Sequence, residues 1–156
     1  MATTQQTHQP AQISGGQLTR HRSSAPAAVA RYVGALTLLA MAVIHLVEFA
    51  ANDYSKIPTI GTLFLLNFLG GTALAVALMS PLERLPYGRG GQLLSALAGA
   101  AMAAVSIAFL LISEHTTLFG FREAGYRPAI VLALIAEGVA LVCLAGFGAN
   151  RLLTDR

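Results

Sequence analysis

The sequence predicts an all-α protein, a four-helix transmembrane bundle with up-down-up-down topology. Three observations carry that prediction. Four apolar stretches, each long enough to cross a bilayer, fill most of the 156 residues. Charged residues make up 11% of the chain, well below the ~25% of soluble domains. Runs such as 73–79 and 131–136 also lack the polar face that an amphipathic soluble helix presents at each turn.

The stretches are 31–51, 59–79, 92–113 and 128–148. Each holds about twenty residues, which at ~1.5 Å rise covers the ~30 Å hydrocarbon core. Residues 1–26 are a different material, rich in Gln, Thr, Ser, Gly and Ala without apolar periodicity, and read as a disordered tail. The apolar segment that follows is span-length, and no small-residue cleavage site closes it, so the first span is expected to stay in the mature chain. The transmembrane domain therefore occupies 27–150, and 151–156 form a short second tail. Pro58 suits a helix start. Short connections at 52–58 and 80–91 force antiparallel neighbours. Gly71 and Ala75, then Ala96, Gly99, Ala100, Ala103 and Ala104, then Ala136 and Ala140, supply the small residues that let helices approach in lipid.

An even number of spans places both termini on one side. Arg20, Arg22, Arg31, Arg84, Arg89, Arg151 and Arg156 lie on that side, and Lys56, Arg122 and Arg127 on the other. This imbalance predicts cytoplasmic termini in a multi-pass protein of the cytoplasmic membrane. Tyr32, Tyr54, Tyr87 and Tyr126 fall near span ends, where amphipathic rings anchor. The basic residues form no clustered stripe, so nucleic acid is not an expected partner. The preference for Arg over Lys, beside abundant Ala, Gly and Leu, suggests a GC-rich bacterial genome. The single cysteine, Cys143, sits in the fourth span and reads as a small buried apolar residue.

Function should reside in the costly polar groups. His45 and Glu48 share a face of the first span. Asn67 lies roughly 12 Å deep in the second and Glu137 about 14 Å deep in the fourth. Glu114 and His115 close the third. All six fall in the outer half, while the inner half reads as almost purely apolar. Glu137, His45 and Asn67 can simply bond across helices and fix their register, or they build a site, and three chemistries fit such a set. His45, Glu48, His115 and Glu137 suit a divalent metal, although the chain has one reversed His-x-x-Glu where carboxylate-bridged bundles carry paired Glu-x-x-His. His45 and His115 are candidate axial ligands for haem b. Intramembrane Glu and His also serve proton or solute transfer. None of these patterns names a cofactor, and the expectation is that the site has none.

The reading that follows is a non-enzymatic accessory or small-ligand-binding module with an outward-facing polar site. A proton- or solute-transporter component is the alternative, and a haem- or metal-binding redox protein the second. The expected partners are the bilayer, a second copy of the chain or a larger membrane complex. The segment 116–123 carries apolar residues beside an Arg122/Glu123 pair and reads either as a flap folded back over the bundle mouth or as an interfacial segment that caps the third helix.

The run IPTIGTLFLLN at 57–67, the run LFGFRE at 118–123 and a His near the end of the first span resemble a group of small four-span membrane proteins of actinobacteria. The resemblance spans roughly 32–144. It implies the fold and a membrane location, and supplies no catalytic residue.

The predicted orientation is open to direct labelling. With Cys143 replaced, cysteines at Ser55 and Gly125 should react with an impermeant thiol reagent outside intact cells. Labelling at Gly88 with those two silent would invert the topology.

Overall fold

A computed structural model describes residues 25–123 and 125–154; the tail expected over 1–26 lies almost wholly outside these residues. The described residues fold into four α-helices, α1 (Ala25–Ala51), α2 (Pro58–Met79), α3 (Gly88–His115) and α4 (Pro128–Thr154). All four are long and apolar enough to cross a membrane. Short 3-10 turns at Tyr54–Lys56 and Leu82–Arg84 punctuate two of the connections. The helices form an antiparallel ring in which each packs on its sequence neighbours and α4 closes against α1, while α1 and α3 barely meet across the centre. No strand accompanies them among the described residues, apart from one isolated bridge in a loop.

Helix boundaries follow local chemistry. Pro58 opens α2 at a position where its missing N–H costs nothing. Pro128 opens α4 in the same way. At 27 or 28 residues, α1, α3 and α4 are longer than the hydrocarbon requires. The fourth continues through the segment read as a tail, to Thr154.

The two ends of the bundle differ. The proximal end carries the described termini, and the distal end carries the α1–α2 and α3–α4 connections. Small residues dominate the proximal contacts. Gly34 and Gly99 clasp Leu144, and Gly71 lies against Ala42 and the backbone of Leu38. Leu38, Leu78, Leu144 and Phe147 fill the remaining space, with Ala35, Ala75, Ala96, Ala103 and Ala140 fully buried among them. This is the close-approach packing that lipid-embedded helices need in the absence of a hydrophobic drive between them.

The proximal half is not purely apolar. Gln92 is fully buried there. Its amide donates to the Ser80 carbonyl at 3.4 Å and its oxygen accepts from Arg151 at 3.4 Å. Gln92 begins the third predicted span, where it reads as a boundary residue. The extra helical turn before it carries it inside.

Leu144 cannot swing aside from a new Cβ at Gly34, because Gly99 and Leu38 hold its other face. Gly34→Ala should therefore cost about 1–3 kcal/mol, the penalty of overpacking. Gly138 has open space around it, so Gly138→Ala should gain up to about 1 kcal/mol in helix propensity. Thermal unfolding of the two variants should move in opposite directions.

Candidate functional site

At the distal end the helices part around a cavity of about 480 Å³. Aromatic and branched side chains prop it open: Ile60 and Phe64 from α2, Phe109 from α3, Ile130 from α4. Leu66, Ala101 and Val105 line it and are also exposed on the flank of the bundle, so the α2–α3 seam opens toward lipid. That seam is the least tightly packed between sequential helices.

Polar groups converge on the floor. Glu137, 2% exposed, projects from α4. Ser106 Oγ on α3 lies 2.5 Å from Glu137 Oε1 and 3.3 Å from His45 Nε2 on α1. His45 Nε2 is 3.9 Å from the same carboxyl oxygen. The other ring nitrogen, Nδ1, lies 2.9 Å from the Met41 carbonyl. A carbonyl only accepts, so Nδ1 carries a proton and the tautomer is fixed. Glu137 Oε2 and Asn67 Oδ1 are buried on the cavity wall without a hydrogen-bond partner. Buried polar atoms are rarely left so, because each costs roughly 1–3 kcal/mol.

A second layer roofs the cavity. Arg127, immediately before α4, reaches Glu48 Oε2 at 3.2 Å and the Tyr54 hydroxyl at 2.6 Å, and lies 3.7 Å from Glu123 Oε2. Tyr54 donates to Glu123 at 2.5 Å, and Asn52 donates to Glu48 at 2.8 Å. Burial, the bond to Glu123 and that carboxylate's charge raise the Tyr54 hydroxyl above its ordinary value of 10.0. Tyr54 therefore remains a donor at any physiological pH. Its ring stacks on Phe64 at 4.7 Å and meets Phe121 edge-on, while Phe64 tilts against the His45 ring at 4.9 Å.

Local backbone places these groups. Gly61 sits under Tyr54, whose carbonyl oxygen would be 2.7 Å from a Cβ there, so only glycine lets the Tyr54–Lys56 turn lie this close to α2. The 116–123 segment does fold over the mouth. Leu118 and Phe121 exchange backbone hydrogen bonds of 2.7 and 2.9 Å. Phe119 and Gly120 between them both have positive φ, as a two-residue type I′ hairpin requires. The Glu123 N–H then bonds the Ser113 carbonyl at 3.1 Å, and Leu118, Phe121 and Glu123 line the cavity.

Of the six site residues read from sequence, His45, Glu48, Asn67 and Glu137 meet at this cavity. Glu114 and His115 stay outside its wall. Tyr126 donates to Glu114 at 2.6 Å, a bond that raises the tyrosine's pKa, and exposed His115 bonds the Leu111 carbonyl. The four metal candidates thus do not converge, and no three His, Cys, Asp or Glu residues cluster as a metal site among the described residues. His115 is not placed to share a haem with His45. Ser106, Tyr54, Glu123 and Arg127 join the site instead. Tyr54 is not an interfacial anchor but a buried roof group. Ser106 is the polar residue within the third span that shares the depth of His45 and Glu137.

No protein-family model, curated protein or solved structure matches this chain. The class that fold and site define is therefore a multi-pass, four-helix membrane protein with a polar-floored cavity at one end.

Arg127 balances two carboxylates that are themselves buried. Arg127→Leu should cost about 2–3 kcal/mol, below the 3–5 of a fully buried pair because the guanidinium is half exposed. Denaturation of the variant in micelles measures it, and a loss under 0.5 kcal/mol would exclude the roof as a structural clamp.

Proposed function

We propose that the protein is a small-ligand-binding module of the cytoplasmic membrane, with cytoplasmic termini and the cavity facing outward. One observation carries this reading: Glu137 Oε2 and Asn67 Oδ1 are buried on the cavity wall with no partner. If the polar groups served only to lock helix register, the low-dielectric interior would favour pairing all of them. Ser106, His45 and Met41 satisfy one side of the floor, and the other side is left to whatever occupies the cavity.

The surroundings support the same reading. The volume lies within the ~300–1,000 Å³ usual for small-molecule sites, and the wall is apolar with a few convergent polar atoms. The seam between α2 and α3 gives a route from the bilayer, and the roof of Tyr54, Glu123 and Arg127 limits direct access from water. No nucleophile–base–orienter arrangement accompanies the cavity among the described residues: Ser106 lies between His45 and Glu137, whereas a hydrolytic triad has the histidine between serine and carboxylate. That order supports binding over hydrolytic turnover.

Ala133 lines the cavity from α4, and Ala133→Phe would fill it. Native mass spectrometry of protein extracted from its own membranes should reveal a small-molecule adduct on the parent chain that the filled variant lacks. Identical adduct patterns in the two, or none in either, would sink the proposal.

A further inference from the structure

The cavity wall has an unbalanced charge. Three carboxyl groups, Glu48, Glu123 and Glu137, face it, with one guanidinium, that of Arg127. Arg127 is held at the roof by Glu48, Glu123 and Tyr54 and does not reach the floor contacts of Glu137. An anionic headgroup would meet carboxylates on its way in and find the guanidinium already engaged. Four aromatic rings, Tyr54, Phe64, Phe109 and Phe121, line the same space, and aromatic faces attract cations.

The geometry restricts where a proton on the floor can sit. With His45 Nδ1 committed to the Met41 carbonyl, a single further proton can reside on the Glu137–Ser106–His45 chain in two ways. Either Glu137 is a neutral acid, donating to Ser106, which donates to His45 Nε2. Or Nε2 carries the proton, donating to Ser106, which donates to the Glu137 carboxylate. One concerted shift through the serine hydroxyl interconverts them, and both leave the floor without net charge. Loss of that proton leaves one uncompensated negative charge beside Glu137 Oε2, the oxygen without a partner. An uncompensated charge in hydrocarbon is costly, so an incoming positive charge favours the proton's departure.

We propose that the ligand is an apolar organic cation, an amine or quaternary ammonium compound, which enters between α2 and α3 and binds at Glu137 in exchange for one proton. This rests on the cavity being a binding site and adds the charge and stoichiometry of what it takes. The cation sits against Glu137 Oε2 with the aromatic rings around it, and the proton leaves the relay for the aqueous phase. No bond other than O–H or N–H is broken. The charged and titratable groups facing the relay are Glu48 on α1, Tyr54 on the 3-10 turn, Glu123 on the α3–α4 connection and Arg127 before α4. Asn67 and Ser106 are the polar contributions of α2 and α3. Tyr54 stays neutral, and Glu48, Glu123 and Arg127 hold one another, leaving the relay as the group that exchanges.

The chain has no tryptophan, so Phe109→Trp places a single fluorophore in the wall. Phenyltrimethylammonium and its neutral isostere tert-butylbenzene differ only in the charged centre. Titrated into protein embedded in nanodiscs, the cation should give a saturable response. Its apparent affinity should rise about tenfold per pH unit while the relay proton is bound, as linkage to one proton requires. One proton should appear in weakly buffered solution per cation bound. The neutral isostere should bind at least tenfold more weakly, and Glu137→Gln should erase both the preference and the pH slope. Equal, pH-independent binding of both probes would overturn the cation proposal and leave the binding site standing. No saturable response to either probe, together with no adduct lost on Ala133→Phe, would overturn both. The parent chain carrying only Phe109→Trp decides between these outcomes even if Glu137→Gln fails to fold.

Discussion

A carboxyl group in hydrocarbon has no water to solvate it, and most of the distal half of this bundle is arranged around that fact. Glu137 is set on α4 where its neighbours from α1 and α3 can reach one oxygen. Ser106 supplies the contact and His45 stands behind it, oriented by the Met41 carbonyl within its own helix. Three helices are thereby tied at one depth. The fourth, α2, contributes Asn67 and Phe64 to the wall and makes none of the floor's hydrogen bonds, which is why the α2–α3 side is the open one.

The two ends of the bundle solve opposite problems with different side chains. Proximally, glycines and alanines let backbones approach until leucines and Phe147 fill the gaps. Distally, Tyr54, Phe64, Phe109 and Phe121 are too large for such an approach and hold the helices apart. The roof keeps that gap from collapsing. Arg127 bridges the end of α1, the Tyr54–Lys56 turn and the α3–α4 connection, so the separation of the helices at that end is fixed by charge pairs rather than by apolar packing. A bundle glued at one end and propped at the other is an economical way to keep a cavity in a chain with few polar residues.

The fold was legible because bilayer thickness imposes one length on every span, and composition reveals it without reference to partners. Four of the six polar site residues were legible for a related reason: a charge or amide deep in an apolar run is expensive wherever the helices happen to face. Tyr54, Glu123 and Arg127 were not, because each lies in or beside a connection, where polar and aromatic residues are ordinary. Only the Phe119–Gly120 turn and the close seat over Gly61 bring them inward. Ser106 was hidden by its size, since a hydroxyl in a span commonly bonds its own helix, as Thr37, Ser95 and Ser113 do. Glu114 and His115 misled in the other direction. In the last turn of α3 it is Ser113 that faces the cavity, so the two residues after it lie off its wall despite their proximity in sequence to the mouth.

The position of Ser106 also bears on what kind of site this is. A serine between a carboxyl and an imidazole has its proton shared along the chain and its oxygen occupied on both sides, which makes it a poor nucleophile and a good conductor of one proton. The imidazole is oriented by the Met41 carbonyl. Glu137 keeps one oxygen for the relay and presents the other to the cavity. On the proposed reading, the two oxygens of a single carboxyl would face different chemistries, proton on one side and ligand on the other. A group so divided would couple the two occupancies without any movement of the helices that carry it.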